Sequence, residues 1–80
     1  MKLSSKQMEV IADNLKAFTA NFGEPRIERS PNYPGFYVYD PGNSENCVQY
    51  CYNIHYLDGW LYGAVQANNH IIRGFSVPKA

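Results

Sequence analysis

The spacing of apolar residues predicts an amphipathic helix near the N-terminus. Apolar side chains recur at intervals of three and four residues, at Met8, Ile11, Leu15, Phe18 and Phe22. The charged residues of this segment fall outside this stripe. Ser4 and Gln7 have the spacing of a capping box, and Gly23 followed by Pro25 is typical of a helix end. We therefore expect a helix over about residues 4–22, with one face packed on a sheet and the other in water.

A strict alternation of side chains predicts a long strand over residues 47–56. One side carries Val48, Tyr50, Tyr52, Ile54 and Tyr56, and the other carries Cys47, Gln49, Cys51, Asn53 and His55. Asp58-Gly59 follows between apolar residues, which is a strong signal for a two-residue hairpin loop. Asn68-Asn69 can form a second loop of this kind, because asparagine tolerates positive φ. Two hairpins in series predict a meander that extends to Val77.

Turn residues predict further short strands between the helix and this meander. Pro34-Gly35 and Asp40-Pro41-Gly42 bound the run 36–39, which we expect to be a strand, and the polar stretch 42–46 is expected to be a loop. Ile27 lies between two prolines, as an edge strand would allow. The predicted fold is α+β, with the N-terminal helix packed on one face of a small antiparallel sheet of three to five strands.

An alternative interpretation places a second helix on the sheet over residues 54–68. Ile54, Leu57 and Leu61 also fit helical spacing, and Asn53 is suited to the N-cap position. Gly59 and Gly63 would each cost such a helix about 1 kcal/mol relative to alanine. Their spacing of four could, however, allow close packing on the sheet. We favour the hairpin, and both interpretations give an α+β fold.

The hairpin interpretation leads to a candidate binding surface. It leaves one sheet face without a covering helix. That face combines aromatic side chains with polar groups, as binding hot spots do. The candidate binding residues on it are Trp60, Tyr62, Arg73, Phe75, His55 and Val77. The seven tyrosines of the chain fit this use, but they fit ordinary sheet packing equally well.

Composition limits the classes of function. Eighty residues allow a single domain, and a hydrophobic content of 45% is typical of a folded globular chain. Seven basic residues balance seven acidic ones without a basic stripe, which disfavours nucleic-acid binding. No run of 18 apolar residues and no signal sequence is present, so we expect a cytoplasmic protein without membrane contact.

The residue types that could support chemistry do not have suitable spacing. Cys47, Cys51 and His55 lie four apart, and along a strand neighbours of this spacing are about 13 Å from each other, too far to share a zinc ion or a disulfide. We therefore expect two free thiols and no metal or other cofactor. No nucleophile elbow or glycine-rich loop between a strand and a helix is present, so we expect no enzymatic activity.

These observations favour a small protein-interaction module. It would act as an adaptor or an inhibitor by occupying the surface of another protein, or it would pair with a second copy of itself. The alternative is a single-stranded nucleic-acid-binding sheet whose aromatic rings stack on bases. The net charge of zero counts against that alternative.

Overall fold

The computed structural model describes residues 3–67, which form an α+β fold. The described elements follow one another in the order α1 (Ser5–Phe22), β1 (Arg26–Arg29), β2 (Phe36–Asp40), β3 (Asn43–Cys51) and α2 (Ile54–Gln66). An N-terminal helix packed against an antiparallel sheet was the predicted arrangement, and it is confirmed. Neither helix in this part of the chain is long and apolar enough to cross a membrane.

Helix α1 begins and ends where the sequence predicts. The Ser4 side chain accepts a hydrogen bond from the backbone N–H of Gln7, and the Gln7 side chain accepts one from the backbone N–H of Ser4, which completes the capping box. At the other end Gly23 has φ 101°, a left-handed value that suits glycine, and its N–H donates to the carbonyl of Thr19. The helix is thus fixed at both ends by local interactions.

The three described strands form an antiparallel sheet in the order β1, β2, β3. The predicted strand 36–39 is the central strand β2, and the predicted edge strand around Ile27 is β1. The expectation of a loop over 42–46 is wrong, because Asp40 pairs with Asn43 and the chain reverses within Pro41-Gly42. A register shift between Val38 and Asp40 marks a bulge in the β2–β3 pair.

The hairpin predicted around Asp58-Gly59 is wrong, and the alternative second helix is present as α2. The chain leaves the sheet after Cys51, and the Asn53 side chain accepts a hydrogen bond from the N–H of Tyr56 as an N-cap. Leu57 and Leu61 become completely buried in this conformation. Burial of two leucine side chains contributes about 3 to 6 kcal/mol, which outweighs a cost of about 2 kcal/mol for the two internal glycines.

Both helices contribute to one core on one side of the sheet. Phe18, Ile11, Leu57, Leu61 and Val38 are its largest fully buried apolar side chains. The other buried members of the core are Phe22 of α1, Phe36 of β2, Cys51 of β3 and Ala64 of α2. The second predicted turn at Asn68-Asn69 and the strand extending to Val77 lie outside the described residues.

Candidate interaction surface

Three of the residues predicted to share a sheet face do not lie on the sheet. Trp60, Tyr62 and His55 lie on α2 rather than on a strand, so the sheet face proposed for them is wrong. Trp60 is half-buried, and its ring lies 5.7 Å from that of Phe18, which makes it part of the core boundary. Tyr62 and His55 are exposed. The remaining predicted contacts lie outside the described residues: Arg73, Phe75 and Val77.

Helix α2 has a solvent-facing side that contains no Lys, Arg, Asp or Glu. We call this side the α2 outer face, and its members are the six exposed residues of the helix: His55, Tyr56, Gly59, Tyr62, Gly63 and Gln66. At 3.6 residues per turn these positions fall within an arc of about 120°. The exposed side of α1, in contrast, carries Lys6, Glu9, Asp13 and Lys16. The two helices therefore present very different surfaces to solvent.

Gly59 and Gly63 form a shallow depression in the middle of the α2 outer face. A Cβ atom built at either position would meet nothing within 4 Å, so neither glycine makes room for another part of the described chain. The expectation that their spacing permits close packing on the sheet is therefore wrong. The pair instead exposes helix backbone to whatever approaches this face from outside.

Tyrosine rings border this depression on both sides. Tyr62 is 55% exposed, and among residues 3–67 its ring has no aromatic or hydrogen-bonded partner. On the other side Tyr56 packs against Tyr52 in a tilted arrangement, with ring centroids 4.9 Å apart. Tyr52 is 58% exposed, which continues the aromatic surface beyond the start of the helix. Rigid rings beside a depression are typical of binding hot spots.

A second tyrosine-rich surface lies on the sheet face that points away from the core. Tyr37 and Tyr50 are direct cross-strand partners, with ring centroids 5.5 Å apart. The guanidinium of Arg26 stacks 3.8 Å above the centre of the Tyr39 ring and also forms an ion pair with Glu28 at 3.4 Å. The Arg26 guanidinium on this face is thus already bound by Tyr39 and Glu28 of the same chain.

Two tyrosines of this sheet face, Tyr37 and Tyr50, hold the loop between β1 and β2, and we call them the sheet tyrosines. The Tyr50 hydroxyl donates a hydrogen bond to the carbonyl of Pro34, and the Tyr33 ring meets the Tyr50 ring nearly edge-on at 5.8 Å. The hydroxyl groups of Tyr33 and Tyr37 also share a hydrogen bond, which raises the pKa of Tyr33 above its usual value. These contacts give the sheet tyrosines a structural role.

The two surfaces differ in what the folded chain already does with them. The sheet tyrosines contact one another and position a loop, whereas Tyr62 and the glycine pair serve no visible purpose within residues 3–67. The α2 outer face is therefore the better candidate site. The helical alternative contained the necessary signal, because a wheel drawn over 54–66 separates the buried leucines from an uncharged outer arc.

The two thiols are free and lie in different environments. Cys51 is fully buried beneath α2, and this burial raises the pKa of its thiol to about 12. Cys47 is exposed on β3. Within residues 3–67, no three His, Cys, Asp or Glu side chains come together in a group that could hold a metal ion.

Comparison with protein-family models, curated proteins and solved structures finds no significant match to this chain.

Proposed function

We propose that this protein is a small non-enzymatic interaction module that acts by occupying a partner's surface with the α2 outer face. The observation that supports the proposal is an exposed helix face without Lys, Arg, Asp or Glu, with a glycine pair at its centre and tyrosines along its borders. Exposed helix faces of monomeric proteins normally carry charged residues, as α1 does here. An uncharged face of this kind is better suited to contact with protein than with water.

The glycine pair is costly unless a partner uses it. Each glycine within an exposed helix destabilises the fold by about 1 kcal/mol relative to alanine. Because no described part of the chain approaches Gly59 or Gly63, folding gains nothing in return. A partner's helix or strand could pack closely against the bare backbone, while Tyr56 and Tyr62 enclose it on either side.

A second copy of the chain is the simplest partner. In a contact with twofold symmetry, like residues face one another, so a charged face would repel its own copy. The α2 outer face avoids this repulsion because it has no Lys, Arg, Asp or Glu side chain. The Tyr62 ring of one copy would then fill the depression above Gly59 and Gly63 of the other. An adaptor or inhibitor would use the same contact toward a different protein.

Sedimentation over a range of concentrations tests the proposal. We expect the mass of the wild-type protein to rise between about 1 μM and about 1 mM, which spans the affinities of weak to moderate self-association. Gly63→Leu fills the depression and should hold the protein at monomer mass, and Tyr62→Ala should do the same. Ala12→Leu adds the same side chain on the exposed side of α1 and should leave association unchanged.

Two outcomes would contradict this proposal. A wild-type protein that stays monomeric over the whole range would exclude the second copy as partner. Association that survives both Gly63→Leu and Tyr62→Ala would place the contact on another surface. Circular dichroism of each variant separates loss of association from loss of fold.

Single-stranded nucleic acid is the weaker alternative. It would use the outward sheet face, where Tyr37, Tyr39 and Tyr50 could stack on bases. The mutual packing of these rings and the pairing of Arg26 with Glu28 count against it. Retention on single-stranded nucleic acid that falls steeply with salt would favour this alternative. For either function we infer a reducing, cytoplasmic environment, in which the two free thiols would persist.

A further inference from the structure

A cleft of about 320 Å³ opens where the β1–β2 loop meets the beginnings of both helices. Its lining comes from three places in the sequence: Gln7 of α1, residues 29–30 and 33–36 of the loop and its flanking strands, and residues 52–54 at the start of α2. Its volume lies at the lower end of the range for small-molecule sites. A ligand of about the size of a single substituted ring would fit it.

The cleft has a positive charge that the described chain does not neutralise. Arg29 lines it, is exposed, and makes no ion pair or hydrogen bond with any of residues 3–67. No Asp or Glu is among the lining residues. Arg29 is the cross-strand partner of Phe36, whose side chain is buried in the core, so Arg29 lies on the helix side of the sheet. This register brings its guanidinium to the cleft rather than to the outward sheet face.

Neighbouring groups make the cleft more favourable to an anion. Both α1 and α2 begin here, and neither has an acidic residue in its first turn. The positive ends of the two helix dipoles therefore add to the potential that Arg29 sets. The other basic side chain of β1, Arg26, points to the opposite sheet face and is already paired with Glu28.

Aromatic side chains supply the apolar part of the lining. Tyr33 is 51% exposed and Tyr52 is 58% exposed, and both border the cleft together with Pro34 and Phe36. The rings are held in place because Tyr33 packs on Tyr50 and Tyr52 packs against Tyr56. Rings of fixed position are suited to contact a flat ligand at little entropic cost.

We propose that this cleft binds a small aromatic ligand bearing one anionic group. The carboxylate or phosphate of the ligand pairs with Arg29, whose planar guanidinium can donate two parallel hydrogen bonds to either group. The ring of the ligand packs against Tyr33 and Tyr52. This site shares the Tyr52–Tyr56 ring contact with the border of the α2 outer face, but it needs neither the glycine pair nor Tyr62.

Titration with phenyl phosphate, followed by amide chemical shifts, tests the charged half of the site. We expect saturable shifts at Gly35, Phe36 and Asn53, and a loss of affinity of at least about tenfold in Arg29→Gln, as removal of a charge-assisted pair predicts. Arg26→Gln is the matched control and should bind as the wild type does. Shifts that are absent, or affinities that fall equally in the two variants, would overturn the proposal.

Part-ligands test the aromatic half. Inorganic phosphate lacks the ring and phenol lacks the charge, so each should bind at least about tenfold more weakly than phenyl phosphate if both halves contribute. Tyr52→Ala removes one of the two rings that contact the ligand, so it should bring the affinity for phenyl phosphate closer to that for inorganic phosphate. Equal affinity of the wild type for phenyl phosphate and inorganic phosphate would overturn the assignment of an aromatic ligand.

Discussion

The ring of Tyr50 lies directly against the backbone of Gly35. A Cβ atom at position 35 would come within 2.5 Å of the Tyr50 Cε1 atom, and Gly35 has φ 133°. The β1–β2 loop can rest on this tyrosine only because residue 35 has no side chain. The same tyrosine donates its hydroxyl proton to the carbonyl of Pro34, so one side chain fixes both the position and the direction of the loop.

Gly35→Ala should destabilise the fold substantially. The substitution places an L side chain at a positive φ, which costs about 1 to 3 kcal/mol, and it forces the Tyr50 ring away, which costs a similar amount. We expect the free energy of unfolding to fall by about 2 to 6 kcal/mol in urea denaturation. Tyr50→Phe keeps the ring and removes only the hydrogen bond, so it should cost about 1 kcal/mol. Equal losses in the two variants would contradict the steric explanation.

Alanine at position 59 or 63 should have the opposite effect. Because open space surrounds both positions, Gly59→Ala and Gly63→Ala should each raise the free energy of unfolding by about 1 kcal/mol. Thermal denaturation at a concentration where the protein is monomeric provides the measurement. A decrease in stability would mean that the bare backbone at these positions is needed within the monomer, which would remove the main reason for assigning it to a partner.

Phe18→Ala should unfold the domain at room temperature. Phe18 is fully buried, and its ring lies 4.9 Å from Phe22 and 5.7 Å from Trp60. Its truncation costs about 3 to 5 kcal/mol, which equals the stability expected of a core of this size. Far-ultraviolet circular dichroism and a red shift of Trp60 fluorescence should both report unfolding. Val10→Ala on the exposed side of α1 is the control and should change stability by less than about 1 kcal/mol.

The buried thiol should make stability depend on alkaline pH. The pKa of Cys51 is about 12 in the folded protein, against 9.0 for a thiol in water, because burial disfavours the thiolate. Below pH 9 both states keep the proton, so Cys51 contributes no pH dependence. Above pH 9 the unfolded chain binds fewer protons than the folded one, so the free energy of unfolding falls as pH rises, by at most about 1.4 kcal/mol per unit.

Denaturation series between pH 8 and pH 11 test this sign. The slope should be less steep in Cys51→Ala, which lacks the buried thiol. A thiol reagent at neutral pH gives a second check: Cys47 should react quickly in the native protein, and Cys51 only after denaturation. Rapid reaction at both thiols, or an unchanged slope in the variant, would contradict the buried position of Cys51.

Local signals allowed part of the fold to be predicted. The capping box at Ser4 and Gln7 depends on residues three apart, and the glycine and proline after Phe22 act on their own backbone. The strand 36–39 and the edge strand at Ile27 are bounded by turn residues in the same way. Each of these features depends on groups that are close in sequence, so the tertiary fold could not change them.

The conformation of the segment after Asn53 could not be predicted from such local signals. Asp58-Gly59 favours a hairpin locally, but in the fold the side chain of Asp58 accepts a hydrogen bond of 2.9 Å from Asn14, which is 44 residues away. Leu57 and Leu61 are buried within a core to which α1 and β2 also contribute. The choice between strand and helix thus depended on contacts that no local pattern contains.

The candidate sites changed for the same reason. Tyr62 and His55 remain exposed as predicted, but on a helix, where they surround a glycine pair that a sheet would have separated. The cleft beside Arg29 joins three stretches that are distant in sequence, so it has no sequence pattern of its own.

The sequence by itself determined where α1 begins and ends, where β1 and β2 lie, and that the fold is α+β, because capping groups, prolines and glycines act on the backbone beside them. Tertiary structure alone decided that residues 54–66 form a helix and which tyrosines face solvent. The physical reason is that burial of Leu57 and Leu61 against distant partners outweighs the turn preference of Asp58-Gly59, and such burial exists only once the core has formed.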